Sequence, residues 1–214
     1  YKQAAGNQAV QDAAIRSLFL AVTAATVATI AATMAAIATT RTRRFPGRTM
    51  IYALINQPLM VPEIVTAVAL LIVFAAIKVW TGHTSMIYLI VAHTAFCIPF
   101  AYLPIRARLE TMDMSLETAA RDLYASRWLV FRRVTLPLMW PGIVAGLMLA
   151  FVISLDDVVI TEFVKSAGQE TLPTFMLGQL RRVVTPEVNA ISSVILFAGA
   201  ILVALFFRLT NRRG

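Results

Sequence analysis

Charge is scarce in this chain. Only 14% of its 214 residues are Asp, Glu, Lys or Arg, 59% are hydrophobic, and the mean hydropathy is +0.76. A soluble domain needs about a quarter charged residues to cover its surface, so a soluble globular fold is excluded, and disorder with it. Cysteine is confined to Cys97, which excludes a disulfide framework and a Cys-based zinc site. No Gly-x-x-x-x-Gly-Lys-Ser/Thr loop occurs, so the chain cannot bind ATP by that route. No Ser/His/Asp set has a credible common location, and His93 with Cys97, one helical turn apart, reads as core packing because two ligands do not make a metal site. The polar opening from Lys2 to Gln11, with no basic leader or signal-peptide pattern, leads us to expect an earlier span before Tyr1 in the whole gene product.

What the chain has in abundance is long uncharged runs. A bilayer core of about 30 Å takes about 20 apolar residues as a helix, and helices are the economical spanning form at such lengths. Five runs qualify, with spans expected over about 17–40, 49–78, 84–105, 137–163 and 187–208 of a single all-α membrane domain covering 1–214. The short alternating segments of a transmembrane barrel are absent. Within the runs, Gly142 and Gly146 form a small-x-x-x-small pair suited to close helix contact, and the Ala/Thr stripe of the first run has the same meaning.

The basic residues alternate with the crossings. Thirteen of the 19 Lys and Arg fall between runs one and two, between three and four, and after run five; six fall on the other side. The richer side is expected to be cytoplasmic, with the carboxyl end inside. Arg41–Arg48 and Arg127–Arg133 flank apolar runs and so read as topology determinants rather than as a nucleic-acid surface.

The segment 106–136 is longer than a plain connection needs. Met114 to Trp128 reads as a short amphipathic helix: Ser115 with Thr118 is placed to cap it, and Leu116, Ala119, Ala120 and Leu123 recur at helical spacing on one apolar face. Such a helix either lies on headgroups or docks a cytoplasmic partner. The run Leu116-Glu117-Thr118-Ala119-Ala120-Arg121-Asp122-Leu123-Tyr124-Ala125, followed by Leu136-Pro137, resembles the EAA loop of ABC importer permeases. The family's Gly falls on Tyr124 here, at the place where that Gly lets the chain turn tightly. The resemblance implies a type I ABC importer-like permease fold in which this loop is a coupling helix seated in a groove of a cytoplasmic ATPase. Glu117, Ala119, Ala120, Arg121, Asp122, Leu123, Tyr124, Ala125, Leu136 and Pro137 are its coupling residues.

Acids inside apolar runs are the second feature. At a lipid-exposed bilayer centre each costs about 2.5–3.5 kcal/mol on insertion scales, so such residues usually face a bundle interior or a watery cavity. Asp156 and Asp157 follow the fourth run, Glu162 lies just beyond, and Glu63 follows Pro58 and Pro62, which break or kink a helix there. Broken helices beside charged groups are where transporters place their sites. Two adjacent carboxylates need a counter-cation, which a polycationic substrate supplies; the plainer alternative is pairing with Lys78, Lys165 or Arg181.

Ser154-Leu155-Asp156-Asp157-Val158-Val159-Ile160, Thr185-Pro186-Glu187 and Met60-Val61-Pro62-Glu63 are similar to the spermidine/putrescine branch of these permeases, nearest its second permease subunit. The resemblance implies a non-catalytic subunit that moves a polyamine across the inner membrane by alternating access. It would carry no cofactor, ATP and Mg being held by a partner. The partners implied are a homologous second permease, two copies of a cytoplasmic ABC ATPase, a periplasmic substrate-binding protein and membrane lipid, with no nucleic acid. Permeases for other amines or 4-aminobutyrate share much of the pattern. A proton-coupled secondary transporter with Asp156 and Asp157 as the relay is the rival from another class.

Overall fold

The computed structural model describes residues 7–42 and 46–181, together with residues 193, 197, 201 and 204. The fifth span expected over 187–208 and the arginines that follow it lie outside the described residues. Among the described residues the chain is helical, with no strand.

Helix α1 covers Gln8–Arg41, and the Asn7 side chain opens it by accepting the Ala9 N–H at 3.1 Å. Its buried face is mainly alanine, including Ala21, Ala24, Ala25, Ala28, Ala32 and Ala36. Small side chains at this spacing let other backbones come close, which is how helices pack where lipid removes the hydrophobic drive. The threonines between them return their hydroxyls to the preceding turn. Thr23, Thr26, Thr33 and Thr40 each donate to the carbonyl four residues back at 2.7 Å, which satisfies a polar group without a partner helix.

The stretch expected as one span over 49–78 is two helices. Helix α2, Arg48–Met60, retains Pro58 inside it; the chain turns extended at Val61 and Pro62, and α3 runs Glu63–Thr81. Pro62 sits just ahead of α3, where its fixed φ and missing N–H cost nothing. Gly82, at φ +67°, ends α3 in the left-handed region.

Helix α4, Met86–Glu110, is capped by Ser85 and tolerates Pro99 and Pro104. A short helix α5, Ser115–Asp122, follows. Helix α6, Arg127–Val130, runs through a π-helical turn over Phe131–Thr135 into α7, Leu136–Asp156. The region expected over 137–163 therefore stops at Asp156. It resumes as α8, Val159–Val164, before α9, Leu172–Leu180.

Among the described residues four helices are long and apolar enough to cross a membrane: Gln8–Arg41, Glu63–Thr81, Met86–Glu110 and the continuous rod Arg127–Asp156. The chain is thus a multi-pass membrane protein. Its core is a three-helix contact of α1, α4 and α7, with α8 packed against α3 and α4.

The glycine pair closes α7 onto α4. A Cβ on Gly146 would stand 2.6 Å from the Ala101 carbonyl oxygen, and one on Gly142 would stand 2.7 Å from Arg108 Cβ. Neither position accepts a side chain without moving backbone or a neighbouring stem.

Candidate functional site

Two regions gather the polar residues singled out above. The first is built around α5. Its start is fixed by Asp113, not by Ser115: the Asp113 carboxylate accepts the Ser115 N–H at 2.9 Å and the Ser115 hydroxyl at 2.7 Å. Those two bonds hold the Asp113 carboxyl below the ordinary carboxylate range. The helix is also shorter than expected from Met114 to Trp128, because it ends at Asp122 and a separate turn of helix begins at Arg127.

The ending explains the position of Tyr124. Ala125 donates its N–H to the Ala120 carbonyl and Tyr124 donates to the Arg121 carbonyl, the paired bonds of a Schellman cap. Such a cap needs one left-handed residue, usually Gly, and Tyr124 supplies it at φ +57°. It stands where the resembling family has Gly, so the turn is kept at a conformational penalty of about 1–2 kcal/mol. Its ring is 98% exposed.

Burial in α5 leaves its apolar residues on the outside of the chain, as a helix that meets headgroups or a partner requires. Glu117 is its one buried residue, at 5% exposure, while Leu116, Ala119 and Leu123 are exposed and Ala120 is half-buried. The reason is a set of polar anchors. Glu117 pairs with Arg41 at the end of α1 at 3.0 Å, accepts the Thr135 hydroxyl at 3.0 Å, and lies 3.8 Å from Arg121 on its own helix. Thr135 belongs to the π-helical turn, and π turns commonly mark functional positions by re-aiming a side chain. Arg121 and Asp122 are exposed, Ala125 and Leu136 half-buried, and Pro137 lies exposed in the first turn of α7. The helix is thus held from behind by charge and presents its apolar side outward.

The second region lies where two helices break. Asp157 ends α7 and accepts the Ile160 N–H at 3.2 Å, the Thr161 N–H at 2.9 Å and the Thr161 hydroxyl at 2.8 Å. His93 of α4 completes the cluster, with Nδ1 at 2.9 Å from the Ser154 hydroxyl and Nε2 at 2.9 Å from that of Thr161 and 3.4 Å from Asp157 Oδ2. All four side chains are buried. Glu63, at the start of α3 after its own break, brings its carboxyl against that of Asp157. The acids at the two helix interruptions thus lie near each other.

The other acids separate from this pair. Asp156 points away, exposed, and makes no protein contact among the described residues. Glu162 is held by Lys165 at 2.7 Å, and Lys78 donates to the Val164 carbonyl at 2.9 Å. For Glu162 the plain ion-pair alternative holds; among the described residues Asp156 and Asp157 do not share a cation. Arg41, His93 and Thr161 were not recognised from sequence as site residues. His93 carried a signal, a lone titratable side chain inside an apolar run. Arg41 looked like one of many topology arginines.

Comparison with known proteins places the chain in a family. Residues 10–212 match the family model described as binding-protein-dependent transport system inner membrane component. The chain is 38% identical over 205 residues to the putrescine transport system permease protein PotI of Escherichia coli (strain K12), covering 94% of this chain and 73% of that protein. It is 37% identical over 214 residues to the spermidine/putrescine transport system permease protein PotC of Haemophilus influenzae, covering 100% of this chain and 82% of that protein. In fold it is similar to a solved amino acid ABC transporter chain, with a TM-score of 0.70 at 19% identity, covering 95% of this chain and 94% of the other. With its family model matched over nearly its whole length and its membrane helices in the same arrangement, the chain belongs to the inner-membrane permease components of binding-protein-dependent transport systems.

Proposed function

We propose that the chain is the membrane-spanning, non-catalytic subunit of an ATP-driven importer for a polyamine such as putrescine or spermidine. In this reading a partner ATPase holds ATP and Mg, a homologous permease completes the translocation path, and a periplasmic binding protein delivers the substrate. The observation that carries the reading is α5: anchored by Glu117 to Arg41 and Thr135, it turns Leu116, Leu123 and Tyr124 outward. An apolar face exposed on a helix fixed to two bilayer-length helices transmits a push from outside the membrane to α1 and α7 together.

The substrate class is supported by the relatives and by the helix-break acids. Asp156 is an exposed carboxylate with no ion pair among the described residues, beside half-buried Glu63 and buried Asp157. A chain with an ammonium at each end would find one carboxylate at the surface of the break and more negative charge behind it. Alternating access would alter how α3, which carries Glu63, sits against α8, whose first turn Asp157 caps.

A cysteine at Leu123 in the assembled transporter tests the docking role. Crosslinking to the ATPase subunit that changes with nucleotide is expected, and Leu123→Arg should leave the complex hydrolysing ATP without uptake. Capture of no ATPase from that position, with the complex intact, contradicts the reading.

A further inference from the structure

The translocation path does not account for a cavity of about 370 Å³ at the opposite end of the bundle from the helix-break acids. It lies where the C-terminal turns of α1 and α4 meet the first turn of α2, and its wall includes Arg41, Arg48, Arg106, Tyr52 and Glu110. Three guanidinium groups from three helices thus converge against one lining carboxylate. Two of them are stacked on the same ring: Arg48 lies 5.6 Å and Arg106 5.1 Å from the Tyr52 centroid. Arg106 is aligned by Glu110 at 2.8 Å, and Arg48 donates to the Thr39 carbonyl at 3.1 Å. Arg41 turns its ion-pairing edge to Glu117 and its remaining donors to the sulfurs of Met112 and Met114, and its buried Nε makes no hydrogen bond. This is a preformed, cation-rich socket, and it repels the polycation proposed as substrate.

Its depth indicates what fills it. The socket sits where two bilayer-length helices run out of apolar residues, at headgroup level. Helix α2 has 13 residues, about 20 Å long and too short to span. It exposes Met50 and Leu54 within two turns of Arg48, so acyl chains reach the same level. Basic pockets between membrane helices at that depth bind anionic headgroups. We propose that the socket formed by Arg41, Arg48, Arg106 and Tyr52 binds the phosphate of an anionic phospholipid from the adjoining leaflet. Because Arg41 also holds Glu117, the headgroup and α5 draw on one cation.

Native mass spectrometry of the purified full-length permease complex tests this, with phosphatidylglycerol and phosphatidylcholine added in turn. Phosphatidylglycerol should bind in preference, with about a fivefold loss for each of Arg48→Gln and Arg106→Gln, while Arg48→Lys keeps most of the binding. Thermal unfolding in phosphatidylcholine confirms that the variants are folded; if Arg106→Gln is not, Arg48→Gln alone decides. Equal binding of the two lipids, or variants that bind like the parent, overturns the proposal. So does displacement of the lipid by millimolar inorganic phosphate, which assigns the socket to a free anion, or by assembly with the ATPase, which assigns it to acidic side chains of that partner.

Discussion

Arg41 at the end of α1 and Glu117 in the middle of α5 stand 3.0 Å apart, with side chains only 17% and 6% exposed. This contact ties the short outward-facing helix to the longest helix of the bundle. A half-buried pair of this kind is dangerous to break from one side, because the remaining charge stays shielded from water without a partner.

Glu117→Ala should therefore destabilise the protein by about 3 kcal/mol and loosen α5, with the Thr135 hydroxyl losing its acceptor as well. A double-mutant cycle with Arg41→Ala should return a coupling of about 1–3 kcal/mol, measured by unfolding in detergent. Additive losses would mean that the pair does not anchor the helix.

Tyr124→Gly should stabilise the turn after α5 by about 0.5–1 kcal/mol, since a Schellman cap at φ +57° favours Gly but Gly also gains freedom in the unfolded chain. The ring has almost no contacts within the chain to lose. Thermal unfolding of Tyr124→Gly against Tyr124→Val, which should lose stability, checks the sign.

Gly146→Ala should cost about 1–3 kcal/mol, because the new methyl meets the Ala101 carbonyl at 2.6 Å where α7 crosses α4. Gly178→Ala in α9, where nothing lies within 4 Å, should be neutral or stabilising by up to about 1 kcal/mol. Similar losses at both positions would remove the packing argument.

Asp156→Asn and Asp157→Asn should behave differently although the residues are neighbours. Asp157→Asn weakens two backbone bonds at the start of α8 and the contact with His93, so it should lower stability by about 1–3 kcal/mol. Asp156→Asn disturbs no hydrogen bond or ion pair among the described residues and should leave stability unchanged while raising the KM for polyamine uptake. Unchanged uptake kinetics with Asp156→Asn would restrict that residue to a bystander's role.

Much of the architecture was legible because bilayer physics is coarse. An apolar run of about 20 residues has few alternatives to a spanning helix, so 17–40 falls inside α1, and 84–105 falls inside α4 except for its first two residues. Gly142 and Gly146 announced a close helix contact by spacing alone, and the structure gives α4 as the partner. The breaks were harder to place. Pro58 and Pro62 both signal one, yet only Pro62 lies at it, because a helix end tolerates a proline just ahead of its first turn. Asp156 and Asp157 could not be told apart because the chain leaves helical periodicity between α7 and α8, so no rule says which side chain turns inward. The apolar face of α5 was readable from its spacing, but its anchors were not, because Glu117 is held by Arg41 and Thr135, which are distant in sequence.

The central claim is that this chain moves polycations only when a partner ATPase drives it through α5. Proteoliposomes containing the assembled transporter, its binding protein and radiolabelled putrescine test it directly. The account predicts concentrative uptake that requires ATP hydrolysis and is lost with Leu123→Arg while hydrolysis continues. Concentrative uptake by this chain alone, driven by a proton gradient without the ATPase, would contradict it and make the His93–Asp157–Glu63 cluster a proton relay.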